Sequence, residues 1–114
     1  MSEAPVTLSD EREFRAIVGN TLKELITQLD EIDTDDMDAR VTEGNLTVSF
    51  DSGGTFIVSQ QTPTRELWLS ANLRAWHFRL AGDRWIERDT DEPLTAVLGG
   101  LFSNKLKLAV HFTL

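Results

Sequence analysis

The sequence predicts an α+β fold in which two helices pack on one face of an antiparallel β-sheet. Apolar residues recur at three- and four-residue spacing over residues 10–32, which is typical of an amphipathic helix. From residue 39 apolar and polar residues alternate, as in half-buried strands, and helical spacing returns after residue 93. Strands grouped between two helices favour an α+β arrangement over one that alternates strands and helices.

The first predicted helix, residues 10–32, has one apolar face. Asp10 followed by Glu13 fits a capping box, and Ser9 is an alternative N-cap. Acids in the first turn also stabilise the positive end of the helix dipole. The residues predicted to face the core are Phe14, Ile17, Val18, Leu22, Leu25, Leu29 and Ile32.

Five or six strands are predicted to follow, because turn residues divide the alternating region. They are residues 40–42, 46–50, 55–59, 66–70, 76–80 and 84–88. Pro63 interrupts the pattern, since proline cannot donate to a sheet ladder, and Pro93 fits the first turn of the second helix. That helix presents Leu94, Val97, Leu98 and Leu101.

The length of 114 residues predicts a single domain, residues 1–114. Residues 1–9 are expected to be a flexible N-terminus. Residues 105–114 alternate in polarity and are expected to form a last strand or an extended tail over the helices.

The excess negative charge lies in the first third of the chain. Residues 1–38 contain eleven acids and three bases, whereas residues 39–114 contain eight of each. Six acids are clustered there: Asp30, Glu31, Asp33, Asp35, Asp36 and Asp38. Like charges this close oppose folding, and the first three fall at the negative end of the helix dipole. A nucleic-acid partner would need the opposite sign of charge, so the acids favour cations or a basic protein surface. A solvated face that keeps the protein soluble is an equal alternative.

Several functional classes lack support in the sequence. No cysteine is present, so disulfides and thiolate metal sites are excluded. No nucleophile or phosphate-binding motif occurs, the acidic run does not fit a calcium loop, and His77 is expected on the surface. With no imidazole expected nearby, a carboxylate site for Mg²⁺, Ca²⁺, Mn²⁺ or iron should be shallow, exposed and weak. Neither a membrane span nor a targeting signal is recognisable, so we expect the bacterial cytoplasm, or the mitochondrial matrix after removal of a presequence.

Trp68 is expected on the open face of the sheet with Glu66 and Ser70, because alternate residues share a face. It is either an interaction anchor or one member of a cross-strand aromatic pair. Trp76 and Trp85 are predicted to lie in the core.

Three stretches resemble the frataxin family, in particular its bacterial members, called CyaY. They are GNLTV at 44–48, SQQTPTRELWLS at 59–70 and WHFRLAGDRW at 76–85. The resemblance covers about residues 10–104, and it implies an α-β sandwich. It also implies a non-enzymatic accessory role in iron–sulfur cluster biogenesis, with cysteine desulfurase and the iron–sulfur scaffold protein as partners. A monomer with no membrane or nucleic-acid partner is expected.

The resemblance also implies which residues act. The six clustered acids would bind Fe²⁺ or Fe³⁺ weakly, with Glu11 and Asp51 as weaker candidates for metal binding. Gln61, Thr62, Pro63 and Trp68 would contact a partner. A ferroxidase acting at the same acids and a metal-free acidic adaptor are the alternatives.

The sequence also departs from the family pattern. Ser59 replaces a common asparagine, while Arg40 and Arg79 stand where acids are common. Arg40 suggests that the acidic run ends at Asp38. A C-terminal tail packed between the helices is expected to bury Leu106, Leu108 or Phe112.

Overall fold

The computed structural model describes residues 11–114 and confirms the predicted α+β fold. Its elements are α1 Glu11–Asp30, β1 Met37–Thr42, β2 Asn45–Phe50, β3 Thr55–Gln61, β4 Glu66–Ala71, β5 Arg74–Ala81, β6 Arg84–Glu87 and α2 Leu94–Leu106, with a short 3₁₀ helix, Thr62–Thr64, between β3 and β4. The predicted cap at Ser9 or Asp10 and the flexible segment 1–9 lie outside the described residues. Within residues 11–114, neither helix is both long and apolar enough to cross a membrane.

The six strands form one antiparallel sheet in chain order, β1 to β6. Each strand is joined to the next by a short connection, as expected for hairpin-linked strands. Alternate residues such as Leu67 and Leu69 are fully buried under the helices. The opposite face of the sheet is not covered by either helix, and we call it the open face.

Five strands, β1 to β5, are one to three residues longer than predicted, because pairing with a neighbouring strand extends them. β1 begins at Met37, which pairs with Phe50, rather than at residue 40. β3 continues to Gln61, which pairs with Glu66 before the chain turns through Pro63. Local alternation cannot show these ends, since the partner strand supplies the hydrogen bonds.

The core lies between the helices and the sheet, and the predicted tryptophans belong to it. Trp76 and Trp85 are buried. The Trp85 indole Nε1–H donates to Thr21 Oγ1 at 3.0 Å, which satisfies both polar groups inside the core. The predicted face of α1 is buried except for Ile17, which is half-buried, as is Ile32 in the segment after the helix.

After α2, the chain forms an extended tail without regular structure, so the strand alternative is wrong. The tail lies over the helices without pairing with a strand, and Thr113 and Leu114 line a groove together with Arg84 and Trp85 of the edge strand β6. Phe112 is buried as expected, whereas Leu108 is 44% exposed and Leu106 is half-buried. The Gln28 side chain on α1 accepts the Thr113 N–H at 2.9 Å and donates to its carbonyl at 2.6 Å. On α2, Ser103 Oγ accepts the Val110 N–H at 2.8 Å. The tail therefore joins the two helices.

Candidate functional site

The six clustered acids form a continuous surface, which we call the acidic ridge: Asp30, Glu31, Asp33, Asp35, Asp36 and Asp38. The ridge runs from the last residue of α1, through a connection without regular structure, into β1. Five of the six side chains are exposed and Asp36 is half-buried. Because Asp38 lies on β1, the ridge spans the edge of both layers of the fold.

Asp36 has a structural role within the ridge. Its two carboxylate oxygens accept the Ser52 backbone N–H at 2.8 Å and the Ser52 hydroxyl at 2.9 Å. The Asp36 carbonyl accepts the Asp51 N–H at 2.9 Å. These bonds hold the β2–β3 turn against the ridge and bring Asp51 beside it, although the two aspartates are far apart in sequence.

Two other predicted metal ligands are engaged in surface ion pairs. Asp38 pairs with Arg40 at 2.8 Å, with both side chains at least 65% exposed, so the pair adds little stability. Glu11 pairs with Arg15 at 2.9 Å on α1. At about 1.5 Å per helical residue, Glu11 lies roughly 28 Å from Asp30. The structure therefore joins Asp51 to the ridge but leaves Glu11 at the far end of the helix.

The ridge carboxylates spread along the surface. Among residues 11–114, no three His, Asp or Glu side chains come close enough together to enclose a metal ion. Exposed carboxylates that retain water bind hard cations weakly. The arrangement therefore suits transient cation binding better than a permanent site.

One imidazole lies near the ridge, contrary to the sequence expectation. His111 in the tail lines a groove of about 530 Å³ together with Glu31 and Asp33. The sequence offered no signal for this, because the tail is about eighty residues away along the chain and is placed only by its packing on the helices.

Trp68 on the open face is one member of a cross-strand aromatic pair, which is one of the two roles considered from the sequence. Its ring meets His77 across β4 and β5 edge-on, with centroids 4.8 Å apart, so the cross-strand aromatic pair is present. The side chain nevertheless remains partly accessible to solvent. Its indole Nε1–H donates to Glu66 Oε1 at 2.9 Å, which fixes the ring orientation.

Glu66 is buried although it faces the open side of the sheet, at 6% exposure. Arg88 covers it and donates to its second oxygen at 3.4 Å. Gln61 pairs with Glu66 at the end of β3, and Thr62 and Pro63 follow in the 3₁₀ helix. The residues predicted to contact a partner are therefore adjacent. Sequence reasoning missed Arg88, because only the strand register brings it to Glu66.

Glu87 at the end of β6 is, with Glu66, one of the two buried carboxylates among residues 11–114. Burial raises the pKa of the Glu87 carboxyl, but backbone N–H groups of His77, Asp89 and Thr90 donate to the anion, and the electrostatic interaction with the His77 side chain acts in the same direction, so the net pKa is lowered. Its oxygens lie 2.9, 2.7 and 3.1 Å from these three nitrogens. Glu87 therefore holds the loop after β6 as a carboxylate.

Comparison with known proteins identifies the family. A family described as a frataxin-like domain matches residues 7–108. The chain belongs to the frataxin-like family.

Two curated bacterial relatives carry the name iron-sulfur cluster assembly protein CyaY. The protein of Ralstonia nicotianae is 34% identical over 105 residues, covering 88% of this chain and 91% of the relative. That of Cupriavidus pinatubonensis is 30% identical over 103 residues, covering 88% and 93%.

Solved structures of frataxins share the fold. Frataxin from Psychromonas ingrahamii superposes with a TM-score of 0.85 at 20% identity, over 92% of this chain and 99% of that one. A trimeric frataxin from Saccharomyces cerevisiae, complexed with ferrous iron, gives 0.71 at 20% identity, over 90% of each chain. At this identity the likeness concerns the fold alone.

Proposed function

We propose that the chain is a non-enzymatic accessory protein of iron–sulfur cluster assembly. It binds Fe²⁺ or Fe³⁺ weakly on the acidic ridge and docks on a complex of cysteine desulfurase and scaffold protein. The names of the curated relatives, both from bacteria, support the assembly role and a bacterial cytoplasmic location. The iron is cargo in this proposal, so the protein needs no enclosed metal site.

The observation that carries the iron-binding proposal is the set of unpaired carboxylates on the ridge. Asp30, Glu31, Asp33 and Asp35 are exposed, and their side chains accept no hydrogen bond and form no ion pair within residues 11–114. Neighbouring Asp51 is exposed as well. Oxygen ligands without internal partners can exchange freely between water and a hard cation, which favours rapid loading and release.

An anaerobic Fe²⁺ titration followed by ¹⁵N NMR tests this proposal. We expect shifts and broadening at residues 30–38 and at Asp51, and their loss in the triple variant Asp30→Asn/Glu31→Gln/Asp33→Asn. Asp36 stays intact, because it holds the β2–β3 turn. The matched control is Glu43→Gln/Asp91→Asn/Glu92→Gln, which removes three exposed acids elsewhere and should still bind iron.

If the wild type shows no change at millimolar iron, or if both triple variants respond alike, the ridge is not an iron site.

The same variants test docking on the desulfurase. An exposed acidic surface attracts a basic partner over roughly one Debye length, about 8 Å at physiological salt, so binding should weaken as salt rises. We expect the ridge variant to bind the desulfurase more weakly than the control variant. Equal affinities of these two proteins would remove the ridge from the docking proposal.

A further inference from the structure

The open face also carries a cluster of arginines at the edge farthest from the ridge. By strand alternation, Arg79 on β5, Arg84 on β6 and Arg88 just after β6 share this face; we call them the arginine cluster. Arg79 pairs with Ile86, and Arg84 and Arg88 lie two residues to either side of Ile86 along the chain. The three arginines are therefore the neighbours of the half-buried Ile86 on this face of the sheet.

Two of these three charges have no ion-pair partner in the part of the chain that the structure describes. Arg79 and Arg84 are exposed and form no ion pair within residues 11–114. Arg88 is different, because it contacts Glu66 at 3.4 Å and Asp89 at 3.9 Å. Glu66 is the acid nearest to Arg79 across the strands, but its two oxygens are occupied by Trp68 and Arg88. The cluster therefore presents positive charge to solvent.

The acidic ridge is too far away to neutralise this charge. The sheet order places β1 at one edge and β5 and β6 at the other. At about 4.8 Å between neighbouring strands, four or five spacings separate Asp38 from the cluster by roughly 19–24 Å. This is more than twice the Debye length of about 8 Å at physiological salt. An anion at the cluster is therefore attracted by the arginines and little repelled by the ridge.

The surroundings of the cluster suit a protein partner. Trp68 lies beside it, since Trp68 pairs with His77, two residues before Arg79 on the same face. Tryptophan and arginine side chains around a small apolar centre are typical of the residues that dominate protein–protein binding. Here the apolar centre is Ile86, and Trp68 is held in orientation by Glu66.

We propose that the arginine cluster binds an acidic segment of a partner protein, with Trp68 at its border. The proposal specifies that the partner segment bound at the open face is acidic, and it rests on the docking role proposed above. A nucleic acid fits less well, because it needs many phosphate contacts, whereas the arginine cluster has only two members, Arg79 and Arg84, without an ion pair among residues 11–114, and the whole chain has a net charge of −8.

Fluorescence anisotropy with a fluorescein-labelled oligoglutamate peptide tests the proposal on the full chain. The test variant is Arg79→Gln/Arg84→Gln, which removes two charges without placing a new carboxylate opposite Glu66. The matched control is Lys23→Gln/Lys107→Gln, which changes the net charge equally at two exposed lysines away from the open face. Circular dichroism checks that both variants remain folded. A labelled single-stranded oligothymidine serves as the second probe.

We expect saturable peptide binding by the wild type and the control, with affinity lowered at least about tenfold in the test variant and falling as salt rises. Equal loss in both variants would overturn the proposal, because it would reflect net charge only. Tighter binding of oligothymidine than of the peptide would assign the cluster to nucleic acid.

Sedimentation velocity of the wild type alone tests whether a second copy of the chain binds the arginine cluster. Self-association that disappears in the test variant would mean that the acidic ridge of a second copy fills the cluster, which contradicts the proposal. The peptide assay uses neither iron nor desulfurase. A negative result for iron or desulfurase binding at the ridge can therefore be distinguished from a negative result in the peptide assay.

Discussion

Replacing Phe112 in the C-terminal tail tests whether the tail is part of the core. Phe112 is 7% exposed and meets Phe102 on α2 edge-on, with ring centroids 5.5 Å apart. Removing a buried phenylalanine side chain costs about 3–5 kcal/mol. Because a terminal segment can shift to fill the space, we expect Phe112→Ala to lower the free energy of unfolding by about 3 kcal/mol. That is a large share of the roughly 5–15 kcal/mol that stabilises a domain.

Urea unfolding followed by tryptophan fluorescence measures this effect. With a denaturant dependence of about 2 kcal/mol per molar, the midpoint should fall by roughly 1.5 M. The control is Leu108→Ala, which truncates an exposed residue of the same tail and should change stability by less than about 0.5 kcal/mol. A loss below about 1 kcal/mol for Phe112→Ala would refute the claim that the tail completes the core.

A double variant tests whether the two contacts that hold the tail, the Gln28 hydrogen bonds and the buried Phe112 ring, are energetically coupled. Gln28→Ala removes both hydrogen bonds to Thr113. Since Gln28 and Phe112 hold the same segment, the double variant should lose less than the sum of the two single variants. Full additivity would mean that the tail residues act independently.

Two further substitutions test the strands and turns. Glu87→Gln should lower the free energy of unfolding at pH 7 by about 1–3 kcal/mol. Because folding lowers the pKa of Glu87, the wild type should be the more stable protein above pH 4.5, the usual pKa of a glutamate, and should lose this advantage as the pH falls below that value. Urea unfolding at neutral and at acidic pH measures the difference. A constant difference across pH would contradict this. Leu73→Gly in the β4–β5 turn should raise the melting temperature, with about 0.5–1 kcal/mol of stabilisation, because Leu73 is fully exposed at φ +64°; an unchanged or lower melting temperature would argue against backbone strain there.

The elements of the fold could be predicted from the sequence because their signals are local. The face of α1 follows from the spacing of residues such as Phe14, Val18 and Leu25, which are fully buried. Trp76 and Trp85 were predicted as core by alternation alone. Strand ends were less accurate, since the extension of β1 to Met37 depends on its pairing with Phe50.

The candidate sites could likewise be predicted only where their residues are close together in the sequence. The acidic ridge is visible in the sequence, because its six members are neighbours along the chain. Three other features are not visible in the sequence, since each joins segments that are distant along the chain. They are the hydrogen bonds between Asp36 and Ser52, the approach of Asp51 to the ridge, and the position of His111 beside Glu31. Likewise, Arg79 was noticed as a departure, but its grouping with Arg84 and Arg88 requires the β5–β6 register.

The sequence by itself therefore determined the fold class, the apolar faces, the family and the segregation of negative charge into one segment. Each of these depends on residue type and on spacing within a few residues. The tertiary structure alone decided that the tail bridges the helices, that Glu66 is buried beneath Arg88, and that positive charge gathers on the open face at the edge opposite the ridge. These features depend on strand register and packing between segments that are tens of residues apart, which local periodicity does not encode.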